Sequence, residues 1–201
     1  MSAVLKQDFP VAVGDPFEGG YFAGLFGVSG RVAALIVAPK ATGELKATSL
    51  SRNYPAPRAS SINDGIVNTL VLEKESEIAS WALGLEIAGH KDWYIPSIDE
   101  LEILYRAFKP TTRENFIYNR SGLNLSALPA TPAYTLANPL QTSIDLFRAG
   151  NTEAFEDDWY WSSTVLEDPN YAWYQNFYNG YQGHYHVYYH LRARAVRRSF
   201  L

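Results

Sequence analysis

The chain contains no cysteine, which excludes disulfides, thiolate nucleophiles and cysteine-based zinc or iron–sulfur sites. It leaves the compartment open, because a chain without thiols is stable in either redox environment. No run approaches the ~20 apolar residues that a membrane-spanning helix requires. The first twenty residues carry Asp8, Asp15 and Glu18 with no basic start leading into an apolar block, so neither a signal peptide nor membrane insertion is expected. Basic excess is missing too: the formal net charge is −4, which argues against generic nucleic-acid binding. There is no glycine-rich phosphate loop, no His-Glu metal motif and no Ser/His/Asp arrangement, and His90 stands alone after a helix. The expectation is a protein that is not an enzyme and needs no cofactor.

With 47% apolar residues among 201, the chain can bury one substantial core, and one compact domain with an N-terminal elaboration is expected. Tyr21 to Ala38 reads as a hairpin turning at Ser29-Gly30 and ending at Pro39. Thr42 to Asp64 has no clear period and reads as connection with one short strand at most. Ile78, Trp81, Ala82 and Leu85 fall on one helical stripe that stops at Gly89. Ser97 and Glu100 form a capping box ahead of Leu101, Leu104, Tyr105 and Phe108, and Lys109-Pro110 ends that helix. Residues 111–143 read as a long ordered loop pinned by Tyr118, Leu123, Leu125, Leu128 and Tyr134, with a short helix at Ser143 to Ala149. Strand-like runs follow at Trp159 to Thr164, Ala172 to Phe177 and Leu191 to Arg198. Together these predict an α+β protein: a β-rich elaboration over 1–70, then a domain over 71–201 with two helices packed on small antiparallel sheets.

One window stands apart. Between Asn170 and His190 lie seven tyrosines, three asparagines and three histidines, with no Asp, Glu or Lys. Burying so many hydroxyls, amides and imidazoles would demand a partner for each, so exposure on one face is the cheaper arrangement. Tyrosine offers a large amphipathic contact with two torsions to freeze, while Asn and Gly adapt their hydrogen bonding, which is the chemistry of antibody paratopes. Tyr, His, Asn and Asp also share codons with adenine second and a pyrimidine third. An Asn-rich template mutated at adenines would give such a stretch.

The segments WYIPSIDELEILYRAFKP (Trp93 to Pro110), NTEAFEDDWYWSST (Asn151 to Thr164) and AWYQNFYNGYQ followed by LRARAVRR resemble the phage-associated branch of a domain first described at the C-terminus of a Legionella collagen-like protein. The resemblance covers about Glu75 to Phe200. It implies a fold like that of C-type lectins and a role as a variable protein of a diversity-generating retroelement or a phage tail-fibre receptor-binding protein, hence a virion location. It implies that Trp159, Trp161, Ser162, Ser163, Ala172, Trp173, Gln175, Phe177, Gly180, Gln182 and the Leu191 to Arg198 strand are fixed scaffold. It further implies that Tyr171, Tyr174, Asn176, Tyr178, Tyr181, Gly183, His184, Tyr185, His186, Val187, Tyr188 and Tyr189 are exchangeable, solvent-facing contact positions. The partner would be a protein or glycan on a target surface, and a tail-fibre member would oligomerise. The chain lacks the Glu-Pro-Asn calcium motif of lectins proper.

Other readings stay open at this point. The aromatic face could be a subunit interface of a structural component, and the lectin-like scaffold is also used by formylglycine-generating enzymes, which need thiols. His184, His186 and His190 could ligate zinc, but the window has no acid to orient them. Glu153, Glu156, Asp157 and Asp158 read as a solvated turn in preference to a calcium site. Arg192 and Arg194 read as strand residues paired with acids, and the five tryptophans as core residues.

Overall fold

The computed structural model describes residues 12–51, 56–118, 120 and 122–201. The chain begins with β1 (Pro16–Phe17), β2 (Gly20–Val28) and β3 (Arg31–Val37), followed by the single turn α1 (Lys40–Gly43) and β4 (Glu44–Ser49). Three helices come next: α2 (Gly65–Leu72), α3 (Glu77–Leu83) and α4 (Ile98–Phe108). After the long loop, which holds β5 (Ala127–Leu128) and a 3-10 turn at Asp145–Phe147, come β6 (Trp159–Val165), β7 (Tyr171–Asn176), β8 (Gln182–His186), β9 (His190–Arg194) and β10 (Val196–Phe200). The fold is mixed α+β.

Two sheets carry it. In one the order is β1-β2-β3-β10, with β5 paired to β2; in the other it is β4-β9-β6-β7-β8. The expected hairpin is β2–β3: Val28 pairs with Arg31, and Ser29 and Gly30 both adopt positive φ, as a two-residue turn matched to strand twist requires. β3 is covered on both faces. Ala33, Leu35 and Val37 enter one core with Leu101, Leu104 and Phe108, while Ile36 enters the other with Trp93, Trp161 and Ala193.

The α4 capping box is present, with Ser97 Oγ accepting from Glu100 N and Glu100 Oε2 accepting from Ser97 N at 2.7 Å. Glu100 also ties in α2, since the same oxygen accepts from Gly65 N at 3.0 Å, and Oε1 accepts from the Tyr94 hydroxyl at 2.6 Å. Burial pushes this carboxyl up to about 7 against those hydrogen bonds and Arg198.

Three expectations are corrected. Leu191 to Arg198 is two strands, because the chain crosses between sheets at Ala195. Its N–H donates to Gly43 and its carbonyl accepts from Ala38. The alternation fails there since Ala193 through Arg197 are all buried. β3 pairs with β10 and β4 with β9, so the described N-terminal strands share their sheets with C-terminal ones. A helix, α2, follows Asp64, whose side chain caps it; its apolar outer face masks the helical period. The α3 helix is shorter than expected and ends at Gly84.

Candidate functional site

The Tyr/His-rich window forms the β7–β8 hairpin at one end of its sheet, and the pairing sorts its side chains onto two faces. Tyr171, Trp173 and Gln175 lie opposite His186, His184 and Gln182, while Ala172 and Tyr174 lie opposite Tyr185 and Gly183. The connecting turn is held by its asparagines. Asn176 Oδ1 accepts from Tyr178 N, Asn179 Oδ1 accepts from Tyr181 N, and Gly180, at φ +80°, donates its N–H to the Asn176 carbonyl at 2.7 Å. A Cβ at Gly180 would sit 2.6 Å from the Tyr105 ring, so both its conformation and its close approach call for glycine.

On the second face the rings form a continuous ladder. Trp159 stacks on Tyr174 at 4.7 Å, and Tyr174 meets Tyr181 at 5.9 Å and Tyr185 at 6.3 Å. Tyr185 stacks on Tyr189 at 4.1 Å, and Tyr189 on Tyr188 at 4.7 Å. At the other end Phe116 packs edge-on against Tyr181 at 5.0 Å, and Tyr118 lies parallel to Tyr181 at 6.5 Å. On the first face Tyr171 contacts His184 and His186, and His186 contacts Tyr188 at 4.1 Å. Burial, with neighbouring Tyr181 and Tyr185, pushes the Tyr174 hydroxyl up, so this central hydroxyl of the ladder stays uncharged at neutral pH.

Of the twelve positions expected to face solvent, Tyr171, His184, Tyr188 and Tyr189 are exposed, and Asn176, Tyr178, Tyr181 and Tyr185 are half-buried. The other four are not solvent-facing. Tyr174 is buried under Trp159, and Val187 is fully buried in the core beside Trp161 and Leu191. His186 is buried between Tyr171 and Tyr188. Gly183 is buried, and a Cβ there would lie 2.5 Å from the Tyr181 ring and 3.0 Å from the Tyr174 hydroxyl, so a side chain would have to displace the Tyr181 ring. Strand alternation accounts for Tyr174 and Gly183, which share the face of buried Ala172; His186 lies on the other face, covered by Tyr171 and Tyr188, and Val187 packs inward just past the end of β8.

The expected scaffold behaves differently. Ala172, Gln175, Phe177, Gly180 and Gln182 are buried, with Gln175 Nε2 donating to the Gly180 carbonyl and Gln182 Oε1 accepting from Gly122 N. Trp93 and Trp161 are core residues, but Trp159 and Trp173 are half-buried and flank the ring surface, one on each face.

The arginines pair with acids. Arg192 bridges Asp158 and Glu44; Arg194, fully buried, donates to Glu153 Oε2 at 2.6 Å and to the Ala38 and Glu153 carbonyls. Arg197 pairs with Asp92 and Glu18, and Arg198 with Asp64. The acidic run therefore works as an anchor and only partly as a solvated turn: Glu153 is buried and Glu156 pairs with Lys40. Among the described residues no cluster of three His, Asp or Glu is placed to hold a metal ion.

Sequence reasoning missed Phe116 and Ile117 and took Tyr118 for a residue that pins the loop; all three are exposed, and the rings of Phe116 and Tyr118 extend the ladder. Their signal was present as three consecutive large apolar residues within a turn-rich loop. Asn115 anchors them, donating to the Thr135, Leu136 and Pro139 carbonyls and accepting from Lys109 Nζ and the Tyr105 hydroxyl. Among the described residues no helix is long and apolar enough to cross a membrane.

No curated protein matches the chain. The family described as the Lcl C-terminal domain matches residues 63–197, a span that holds α2 to α4, the long loop, the hairpin and the arginine-bearing β9. Since that match covers well over half of the chain, the protein belongs to the Lcl C-terminal domain family, that of the Legionella collagen-like protein C-terminal domain.

Proposed function

We propose that this protein recognises a protein or glycan on a target surface through the ring ladder of the β7–β8 hairpin, without catalysis. The observation that carries the reading is the continuity of the ladder, from Phe116 and Tyr118 through Tyr181, Tyr174, Tyr185 and Tyr189 to Tyr188, its five tyrosines after Tyr118 lying in a window, Asn170 to His190, with no Asp, Glu, Lys or Arg. A surface of this kind buries area through aromatic anchors and takes polar specificity from His and Asn. The finer reading is a C-type-lectin-like variable protein, diversified by a retroelement and carried on a phage tail fibre, where repeated copies add avidity.

The test compares the wild type with a variant in which Tyr171, His184, Tyr185, Tyr188 and Tyr189 are permuted. Both are screened on a glycan array and on a panel of cell-surface ectodomains. The reading requires the set of partners to change; an unchanged set sinks it. Diversification has its own test, a near-copy of the 3′ end of the gene differing almost only at adenines beside a reverse transcriptase gene.

A second reading is favoured by the joint exposure of Phe116, Ile117 and Tyr118: the same face packs on another copy of the chain. Sedimentation of the wild type and of Tyr118→Asp decides it. A concentration-independent monomer removes that reading, and an oligomer dissolved by the substitution supports it.

A further inference from the structure

On the hairpin face opposite the ladder, Trp173 forms one side of a groove of about 370 Å³. Ile62, Leu123 and Leu125 form the apolar walls, and all three are exposed, Leu125 to 77%. A polar end is made by Arg120, Asp99 and Ser126. Arg120 pairs with Asp99 Oδ1 and lies 5.8 Å from the Trp173 ring, and the Ser126 hydroxyl donates to Asp99 Oδ2 at 2.6 Å. Both carboxylate oxygens are thus engaged, and Asp99 is buried.

We infer that this groove is a second binding site, one that takes an apolar side chain of a protein partner. Three exposed aliphatic side chains converging on a half-buried indole are a cost to the free protein that a ligand would offset. The polar end selects against sugars. Reading several ring hydroxyls needs donors and acceptors with spare capacity, and here the acid is already satisfied from within the chain. An aliphatic or aromatic side chain needs only walls, with Arg120 left to meet a backbone carbonyl. The groove lies on the other face of the hairpin from the ladder of the proposed recognition surface and borders the exposed Tyr171 and His184, with His184 edge-on to Trp173 at 6.0 Å and beside Tyr171. The choice of a protein partner rests on that recognition reading, whereas the groove and its preference for apolar groups do not.

Titrations of the full chain with N-acetyl-leucine amide, N-acetyl-phenylalanine amide and methyl β-glucopyranoside test the inference, followed by NMR at the Trp173 indole N–H and the Leu123 and Leu125 methyls. The expected result is saturable shifts with the two amides, none with the sugar, and loss of the shifts in Leu125→Asp, whose exposed position leaves the fold intact. Tyr188→Ser should leave the shifts unchanged, which separates this site from the ring ladder. Absence of saturable shifts with the amides, an equal response to the sugar, or shifts that survive Leu125→Asp would each overturn the inference. None of those results bears on partner choice by the ladder.

Discussion

β9 with β10 and β7 with β8 lie in neighbouring parts of the same chain, yet they solve opposite problems. Four arginines of the first pair, Arg192, Arg194, Arg197 and Arg198, each meet at least one carboxylate drawn from elsewhere in the fold. Between Asn170 and His190 there is no charged residue, and the rings meet mainly one another. Ion pairs with fixed geometry tie together distant segments, and at Arg194, with Glu153 and Glu44, a partner left alone would be a buried charge. Ring contacts between partly exposed tyrosines are individually weak, so they can be replaced one at a time. The contrast teaches that exchangeability belongs to a type of contact, and that proximity in sequence does not confer it.

The largest effect should come from the seam. Arg194→Met leaves Glu153 buried without its cation, leaves Glu44 paired with Arg192 alone, and removes the ties to the Ala38 and Glu153 carbonyls. Breaking such a pair costs about 3–5 kcal/mol, read as a lower denaturant midpoint. A loss below about 1 kcal/mol would show that the seam does not hold the sheets together.

The next effect is a pH dependence that also belongs to the scaffold. The Glu100 carboxyl is raised from 4.5 to about 7, chiefly by burial. The folded state therefore binds its proton more tightly than the unfolded state. Its contribution is fully present below pH ~4.5 and is lost as pH rises toward 7. Burial raises Glu44 and Glu102 as well, with the same sign. Glu100→Gln should thus reduce the fall in stability between pH 4.5 and 7 without abolishing it, as followed by denaturation at fixed pH steps. An unchanged slope would remove Glu100 as its source.

A third substitution tests where the boundary between the two regions runs. Val187 belongs by resemblance to the exchangeable set, yet it is 0% exposed and packs in the core. Val187→Asn should cost about 1–3 kcal/mol, because the amide enters an apolar site. If it costs nothing, the core can open at this point and the buried assignment of Val187 fails.

The molecule was legible wherever a local rule was decisive. Ser97 and Glu100 declared the α4 N-terminus, Ser29-Gly30 declared a hairpin turn, and the lack of charge around Tyr185 and Tyr189 marked a surface different from the rest. The crossover at Ala195 was hidden, because LRARAVRR alternates well enough to pass for one strand and only tertiary pairing divides it. The burial of Tyr174, Gly183, His186 and Val187 was equally hidden, since a resemblance labels positions, while the faces of Tyr174, Gly183 and His186 follow from the register of β7 against β8 and Val187 packs into the core past the end of β8. Trp159 and the Phe116 to Tyr118 loop joined the ladder through contacts between segments far apart in sequence.

The smallest effect on stability should accompany the largest effect on binding. Tyr188 and Tyr189 stack on each other at 4.7 Å and are 53% and 40% exposed. Neither is a core residue, so replacing either by alanine should change stability by no more than about 0.5 kcal/mol. Tyr174→Ala, in contrast, empties a buried site under Trp159 and should cost about 3–5 kcal/mol. If the ladder is the recognition surface, losing Tyr189 removes an aromatic anchor, and affinity for a partner identified on the arrays should fall by about 2 kcal/mol, roughly 30-fold. Melting curves and titrations of the same alanine variants supply both readings. A variant that binds as before would move the anchor to the Phe116 to Tyr118 end of the ladder. One that unfolds would place Tyr189 with Tyr174, on the scaffold side of the comparison.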